Sequence, residues 1–311
     1  MKKLAFICAR GLDTFIDDIY TELSVEYFTR KFIVSTGEEI DRAMDWADIV
    51  WLEWANEVAV YATNQSFGAR KKVIIRLHSY EALSHMPRQI NWEAVDRLIF
   101  VAPHIRELVK GYIPDIERKV KTVVINNGVD LRKIEPVDVK PGYNIAVVCT
   151  ISHKKNPPLA LQIMRMLTDR DARYRLYWAG AFQEPRYEIY LKYMVREMGL
   201  EHAVVFHGFV SDMNTWWKDK HFLLSTSIHE GHPYNVIEAM ARQIKPAVHN
   251  FYGARKLFPD CSLYNTVGEA VALITGNTTY DYRAYVQLKG WTLEHQVARI
   301  KEMIRGCCTD D

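Results

Sequence analysis

The residues best able to do chemistry cluster between Ser225 and Val248, which runs S-T-S-I-H-E-G-H-P-Y-N-V-I-E-A-M-A-R-Q-I-K-P-A-V. An apolar run, Phe222–Ser225, leads into a polar loop, and Pro233 then introduces a helix, a placement its fixed φ favours. Glu230 falls in the loop and Glu238 inside the helix, with seven residues between them. Carboxylates so placed can face one cleft at two depths. The first amides of the helix, Tyr234 through Asn235 to Val236, point at anything anionic ahead of it. Together they suit a ligand carrying both hydroxyls and phosphate. A loop carboxylate beside a solvated helix carboxylate is the plainer account of the same residues, and composition alone does not reject it.

A second cluster runs from Cys149 to Pro158. A strand ends, a basic loop of His153, Lys154 and Lys155 follows, and a helix begins with Asn156 placed as N-cap and a proline in the first turn. Cations ahead of a helix N-terminus attract anions through point charge and macrodipole together. For His153 and Lys154, solvated loop side chains are an equal reading. In the first half, Val73–Leu77 runs straight into His78-Ser79-Tyr80-Glu81, polar residues at a strand's carboxyl end, where open α/β sheets place ligands. A lone histidine such as His78 is as often structural. Arg10-Gly11-Leu12-Asp13 follows the first strand with one glycine, so the dinucleotide pattern G-x-G-x-x-G is absent. In His229-Glu230-Gly231-His232 the histidines flank a loop glycine three residues apart, whereas a zinc H-E-x-x-H needs them four apart on a helix; no metal is expected. Trp51/Trp54 and Trp216/Trp217 read as packing, an acceptor platform being the minority reading of the first pair.

The elements that must hold these groups are short apolar runs alternating with helical patterns, the mark of βαβ units and a parallel sheet. The runs are Leu4–Ala9, Lys31–Ser35, Asp48–Trp54, Val73–Leu77, Arg97–Val101 and Thr122–Ile125, then Ile145–Cys149, Arg175–Trp178, Val204–Phe206, Phe222–Ser225 and Ala247–Asn250. Between the two series, residues 132–144 combine two prolines, a glycine and many charges, which makes them the linker candidate. A helical pattern, Leu293–Ile304, closes the chain. At 311 residues, 49% hydrophobic and 25% charged, the chain has room for two globular domains. The charge is even: 20 of 40 basic and 21 of 38 acidic side chains fall in residues 1–140, leaving no basic face for nucleic acid. Five scattered cysteines, with adjacent Cys307 and Cys308 forming no framework, suit a reducing cytoplasm. The first apolar run is too short for a signal peptide, and no run approaches the ~20 residues of a membrane span.

The string Glu230-Gly231-x-Pro233-x4-Glu238-Ala239-Met240-Ala241, followed by Pro246, resembles the E-x7-E region of retaining family-4 glycosyltransferases with the GT-B fold. Val124-Ile125-Asn126-Asn127-Gly128-Val129-Asp130 is similar to the stretch that ends their N-terminal domain. Phe206-His207-Gly208-Phe209-Val210 is similar to their F-x-G stretch, and Asn250–Arg255 sits where they keep a glycine-containing loop. The resemblance runs from the first strand to the last helix and is strongest over residues 122–260. It implies an α/β GT-B protein of two Rossmann-like domains facing across a cleft: 1–136 for the acceptor, 141–290 for the nucleotide-sugar, and a C-terminal helix, 291–311, packing back on the first. The implied activity moves a sugar from a UDP- or GDP-sugar to a hydroxyl of a glycan or lipid-linked acceptor, with retention of configuration, as in polysaccharide biosynthesis. No cofactor, metal or nucleic acid is implied.

The resemblance also assigns roles. Glu230 should contact hydroxyls of the transferred sugar and Glu238 the ribose. Amides from Tyr234 through Asn235 to Val236, in the turn that Gly231 and Pro233 shape, should help bind the diphosphate. Main-chain groups at Phe209 and Val210 should meet the base, His78 the reacting sugar, and the Gly11 loop should cover the diphosphate. The family's Gly-Arg-x-x-x-x-Lys-Gly clamp falls on Cys149, Thr150, Lys155 and Asn156, so Lys155 matches the lysine while Thr150 replaces the arginine, and Lys154 or His153 is placed to compensate. Gln243 stands where the family keeps a glycine. Two other readings stay open: a sugar-nucleotide epimerase on the same fold, and a catalytically degenerate binding subunit. The family's lipid-linked acceptors imply peripheral contact with the inner face of a membrane, though no amphipathic basic helix stands out.

Overall fold

The computed structural model describes residues 1–67, 71–137, 142–277 and 279–309. The chain divides into two compact units, Met1–Gly128 with Leu293–Asp311, and Val129–Thr292. Passage from the first to the second therefore comes at Gly128, ahead of the proline-containing stretch. Residues 131–134 of that stretch are tied to the second unit, because the Arg283 guanidinium donates to the carbonyls of Leu131, Ile134 and Ala241. Residues 138–141 of the linker candidate lie outside the described residues, as does the side chain of Cys308.

Each unit is built on one six-stranded, all-parallel sheet. In the first, β1 (Lys3–Ala9), β2 (Phe28–Val34), β3 (Ile49–Glu53), β4 (Lys72–Leu77), β5 (Arg97–Phe100) and β6 (Lys121–Val124) run in the order 2-1-3-4-5-6. In the second, β7 (Asn144–Val148), β8 (Arg175–Ala179), β9 (Val204–Gly208), β10 (Phe222–Ser225), β11 (Lys245–His249) and β12 (Leu263–Tyr264) run 12-11-10-7-8-9. Numbered from its own first strand, the second order is the 3-2-1-4-5-6 of dinucleotide-binding Rossmann sheets. The order reverses between β1 and β3 in one unit and between β7 and β10 in the other. Crevices at the carboxyl ends of strands open at such switch points.

Central strands are continuous apolar runs because helices cover both faces of a parallel sheet; β3 (I-V-W-L-E) is buried at every position. Strand β2 begins three residues before the expected Lys31. It lies at the sheet edge, three of its seven residues are exposed and only Val34 is buried, and Phe28 and Phe32 rest on Trp46, so continuous apolarity was not needed to form it. The helix Leu293–Thr309 belongs to the first unit. Its Leu293, Val297, Ile300 and Ile304 recur at helical spacing and bury among Leu4, Phe6, Ile16 and Ile19. Each is worth about 1.5–3 kcal/mol when taken out of water. No helix among the described residues is long and apolar enough to cross a membrane.

Candidate functional site

The switch point of the second unit gathers the two clusters that the sequence singled out, although they lie 75 residues apart. The loop after β7 and the loop after β10 are stitched together by Ile228 N–H donating to Lys154 O (3.0 Å) and Thr226 Oγ1 to Lys155 O (2.6 Å). Between them lies an ion cluster. Lys155 Nζ pairs with Glu230 Oε1, and Lys154 Nζ stands 3.8 Å from Glu230 Oε2. Burial would raise the Glu230 carboxyl, but Lys155 and Lys154 outweigh it and hold it below the usual carboxylate range. Burial likewise pulls on Lys155, yet Glu230 leaves it above its ordinary value. Lys154 is held below its ordinary value by burial, with Lys155 adding to the shift and Glu230 opposing it. Burial pushes the adjoining Cys149 thiol up to about 11, so it stands neutral there. Gly180, at φ +144°, closes the floor: a Cβ on it would lie 1.9 Å from the Cys149 carbonyl oxygen.

The helix after this loop, Pro157–Arg170, departs from expectation at its start. Asn156 occupies the N-cap position in a left-handed conformation (φ 47°, ψ 54°) and its side chain makes no capping bond. Pro157 and Pro158 have no N–H to offer it, and the next amide, Leu159 N–H, donates to the Asn156 carbonyl oxygen instead (3.1 Å). An anion arriving here meets charge more than amide donors. At the other helix, Tyr234–Ala241, Asn235 Nδ2 donates to Val148 O on β7 (2.9 Å) while its Oδ1 accepts from Val236 N–H (2.9 Å). Asn235 thus docks the helix onto the central strand, and the Val236 amide is already engaged. Glu238 lies half-buried one turn further on, with no hydrogen bond to its carboxylate among the described residues. Burial pushes it above the usual carboxylate range, against the pull of Arg242. Arg242 itself donates to Glu238 O (3.2 Å) and to Asn214 Oδ1 (2.7 Å). Gly231 and Pro233 are buried in the turn; Thr150 and Phe209 are exposed, and Val210 is half-buried beyond the end of β9.

In the first unit His78 follows β4 and is buried. Its Nε2 lies 2.7 Å from Glu53 Oε1, and its ring stacks on Trp54 at 4.1 Å between centroids. Glu53, fully buried at the end of β3, also accepts from Trp51 Nε1 (2.8 Å) and Arg76 Nη1 (3.1 Å). Arg76 reaches on to the Asn127 side chain. Burial would raise the Glu53 carboxyl, but Arg76 and His78 bring it below its ordinary value. Trp54 carries φ +81°, rare for a bulky residue, and its Nε1 donates to Leu12 O (2.8 Å) next to Gly11, which shares that φ. Trp54 therefore ties the Gly11 loop to His78. The sequence singled out neither Glu53 nor Arg76; it gave Trp54 as packing, with an acceptor platform as the minority reading, and Asn127 only within the Val124–Asp130 stretch. The available signal was one acid and one base closing adjacent apolar runs, at positions that turn out to be paired in register.

Comparisons agree with this architecture. Residues 132–262 match the family model of glycosyl transferases group 1. No curated protein sequence matches. Among solved structures, a glycosyltransferase from Rickettsia africae superposes with a TM-score of 0.77 at 12% identity, covering 100% of this chain and 99% of that one. The Anabaena HepE protein in complex with UDP and glucose gives 0.77 at 15% identity, over 98% and 100% of the two chains. Sucrose-phosphate synthase from Thermosynechococcus elongatus gives 0.75 at 11% identity, over the whole of both. The chain thus has the GT-B fold seen in these glycosyltransferases, and its residues 132–262 are similar to the group 1 family model.

Proposed function

We propose that the protein transfers a sugar from a UDP- or GDP-sugar to a hydroxyl of a glycan or lipid-linked acceptor, with retention at the anomeric carbon. One observation carries the reading. The second unit's switch point holds a lysine pair beside Glu230, and the next helix presents Glu238, a carboxylate with no hydrogen bond of its own among the described residues. Cations suit a diphosphate, and a half-buried carboxylate suits ribose hydroxyls. That HepE binds UDP and glucose supports UDP as the first donor base to try.

In this reading the bond from the anomeric carbon to the diphosphate breaks while the acceptor oxygen bonds to the same face. The acceptor's proton passes to the departing phosphate oxygen, so no side-chain nucleophile is required. The residues' work is electrostatic: lysine charge and helix amides offset the charge that grows on the leaving group. Glu230 meets the sugar as it becomes cationic, His78 the sugar from the acceptor side, and Phe209 and Val210 the base. The Gly11 loop and Thr150 line the diphosphate. No metal has a role, and EDTA should leave turnover unchanged. Action at the cytoplasmic face of a membrane follows if the acceptor is lipid-linked.

The test is incubation of the protein with a panel of UDP- and GDP-sugars, with and without glycan and lipid acceptors, followed by chromatography of nucleotides and product. Acceptor-dependent release of nucleoside diphosphate with an unchanged anomer supports the proposal. A new sugar nucleotide without release identifies an epimerase, and binding without turnover identifies a degenerate subunit.

A further inference from the structure

The lysine that the family pattern would give to the diphosphate is Lys155. Its charge is already committed. The ammonium is mostly buried, 17% exposed, and paired with Glu230, whose side chain is 8% exposed. Lys154 differs: 43% of its side chain is exposed, and its ammonium stands 3.8 Å from the other Glu230 oxygen. With Cys149 neutral, two cations face one carboxylate, and among the described residues one positive charge in the cluster has no counter-ion of its own. The two prolines that open the following helix remove amide donors that could otherwise meet an anion here. Thr150 supplies no charge where the pattern has arginine.

We propose that Lys154, rather than Lys155, is the cation that meets the donor diphosphate, and that Lys155 is the standing counter-ion of Glu230. The inference rests on the nucleotide-sugar reading above. If Lys155 left Glu230 for a phosphate, the buried carboxylate would keep only the 3.8 Å contact to Lys154, whereas Lys154 can turn to one while Glu230 keeps its closer partner. Burial and the adjacent Lys155 hold Lys154 below its ordinary value against the pull of Glu230, and an arriving dianion would add to that pull. The backbone of Lys154 is fixed by its bond to Ile228, so the side chain is presented from a rigid loop. The arrangement separates two duties that one clamp would combine: Lys155 keeps Glu230 ionised for the sugar, and Lys154 holds the leaving group.

Calorimetry with UDP, GDP, uridine and guanosine on the whole chain tests this, using Lys154→Gln, Lys155→Gln and the double variant Lys155→Gln/Glu230→Gln. Lys154→Gln should melt with the wild type and weaken the preferred diphosphate about 10- to 100-fold while leaving the bare nucleoside unchanged. Lys155→Gln should lower the melting temperature. Removing both partners of the pair should restore it and keep diphosphate affinity within about threefold of wild type. Undiminished diphosphate binding by Lys154→Gln, or an equal loss in the double variant, overturns the assignment. A wild-type chain that binds neither diphosphate overturns the nucleotide-sugar reading itself, and this inference with it.

Discussion

Gln243 offers a test in which two effects of known sign compete. It follows the helix that carries Glu238 and holds φ +64°, a conformation that favours glycine, the residue that the family pattern has there. Strain alone would make Gln243→Gly stabilising, by about 1–2 kcal/mol. The side chain, however, is bonded at both ends. Its Nε2 donates to Asp281 Oδ1 (2.7 Å), and its Oε1 accepts from Tyr282 N–H (2.9 Å) and Arg283 N–H (3.2 Å). It thereby satisfies orphan amides of the helix Tyr282–Leu288, which packs on the Glu238 helix. Three bonds at about 0.5–1.5 kcal/mol each, with the exposed one to Asp281 near the low end, amount to about 2–3 kcal/mol. Glycine also adds about 0.5–1 kcal/mol of unfolded-chain entropy. Gln243→Gly should therefore lose about 1–2 kcal/mol, and Gln243→Ala, which keeps the strain and loses the bonds, about 1 kcal/mol more. Urea denaturation of the three proteins measures both differences. A glycine variant as stable as the parent would show that the three bonds contribute no more than the strain glycine relieves net of its entropy cost, at most about 1.5 kcal/mol, and refute the reasoning.

Glu53→Gln should cost about 3–5 kcal/mol near neutral pH, because it leaves the Arg76 guanidinium buried without its carboxylate; a loss under about 1 kcal/mol in urea would mean that the network is not ionised. Since the folded Glu53 carboxyl lies below its ordinary value, its contribution is present above that value and lost as pH falls through the folded one, so the variant's acid limb should be flatter. Glu81 has the opposite sign. Burial raises it, one oxygen accepts from Ala55 N–H (2.7 Å), and the other has no hydrogen bond among the described residues. Glu81→Gln should gain on wild type as pH rises from its ordinary value of 4.5 toward neutrality and match it in acid; a difference independent of pH, followed by thermal melting, would contradict that.

The parallel alternation was legible because central strands of a covered sheet must be apolar throughout, and β3 or β4 needs no tertiary knowledge to be found. The edge strand β2 was seen only in part, since an edge can afford polar positions. Glu230 and Lys155 were each legible as residues of interest, but their pairing was not: it depends on strand order setting β7 beside β10, which no local pattern encodes. The Glu53–Arg76 pair was hidden for the same reason. Asn156 and Gln243 stand where the family pattern has glycine, and both hold left-handed backbones, the conformation that favours glycine. What made that tolerable is visible only in three dimensions for Gln243, whose amide found partners on another helix. For Asn156 the residue type itself, one of the few that enters this region readily, was the available clue.

The central claim is that the second unit binds a nucleoside diphosphate, with Glu238 receiving the ribose. Titration calorimetry of the wild-type chain and Glu238→Gln with UDP and GDP measures it most directly. The account predicts one site per wild-type chain for one of the two diphosphates and affinity about tenfold lower or worse in the variant, the loss expected for a charged acceptor. Unchanged affinity in a folded Glu238→Gln, or no heat with either diphosphate on the wild type, would contradict it.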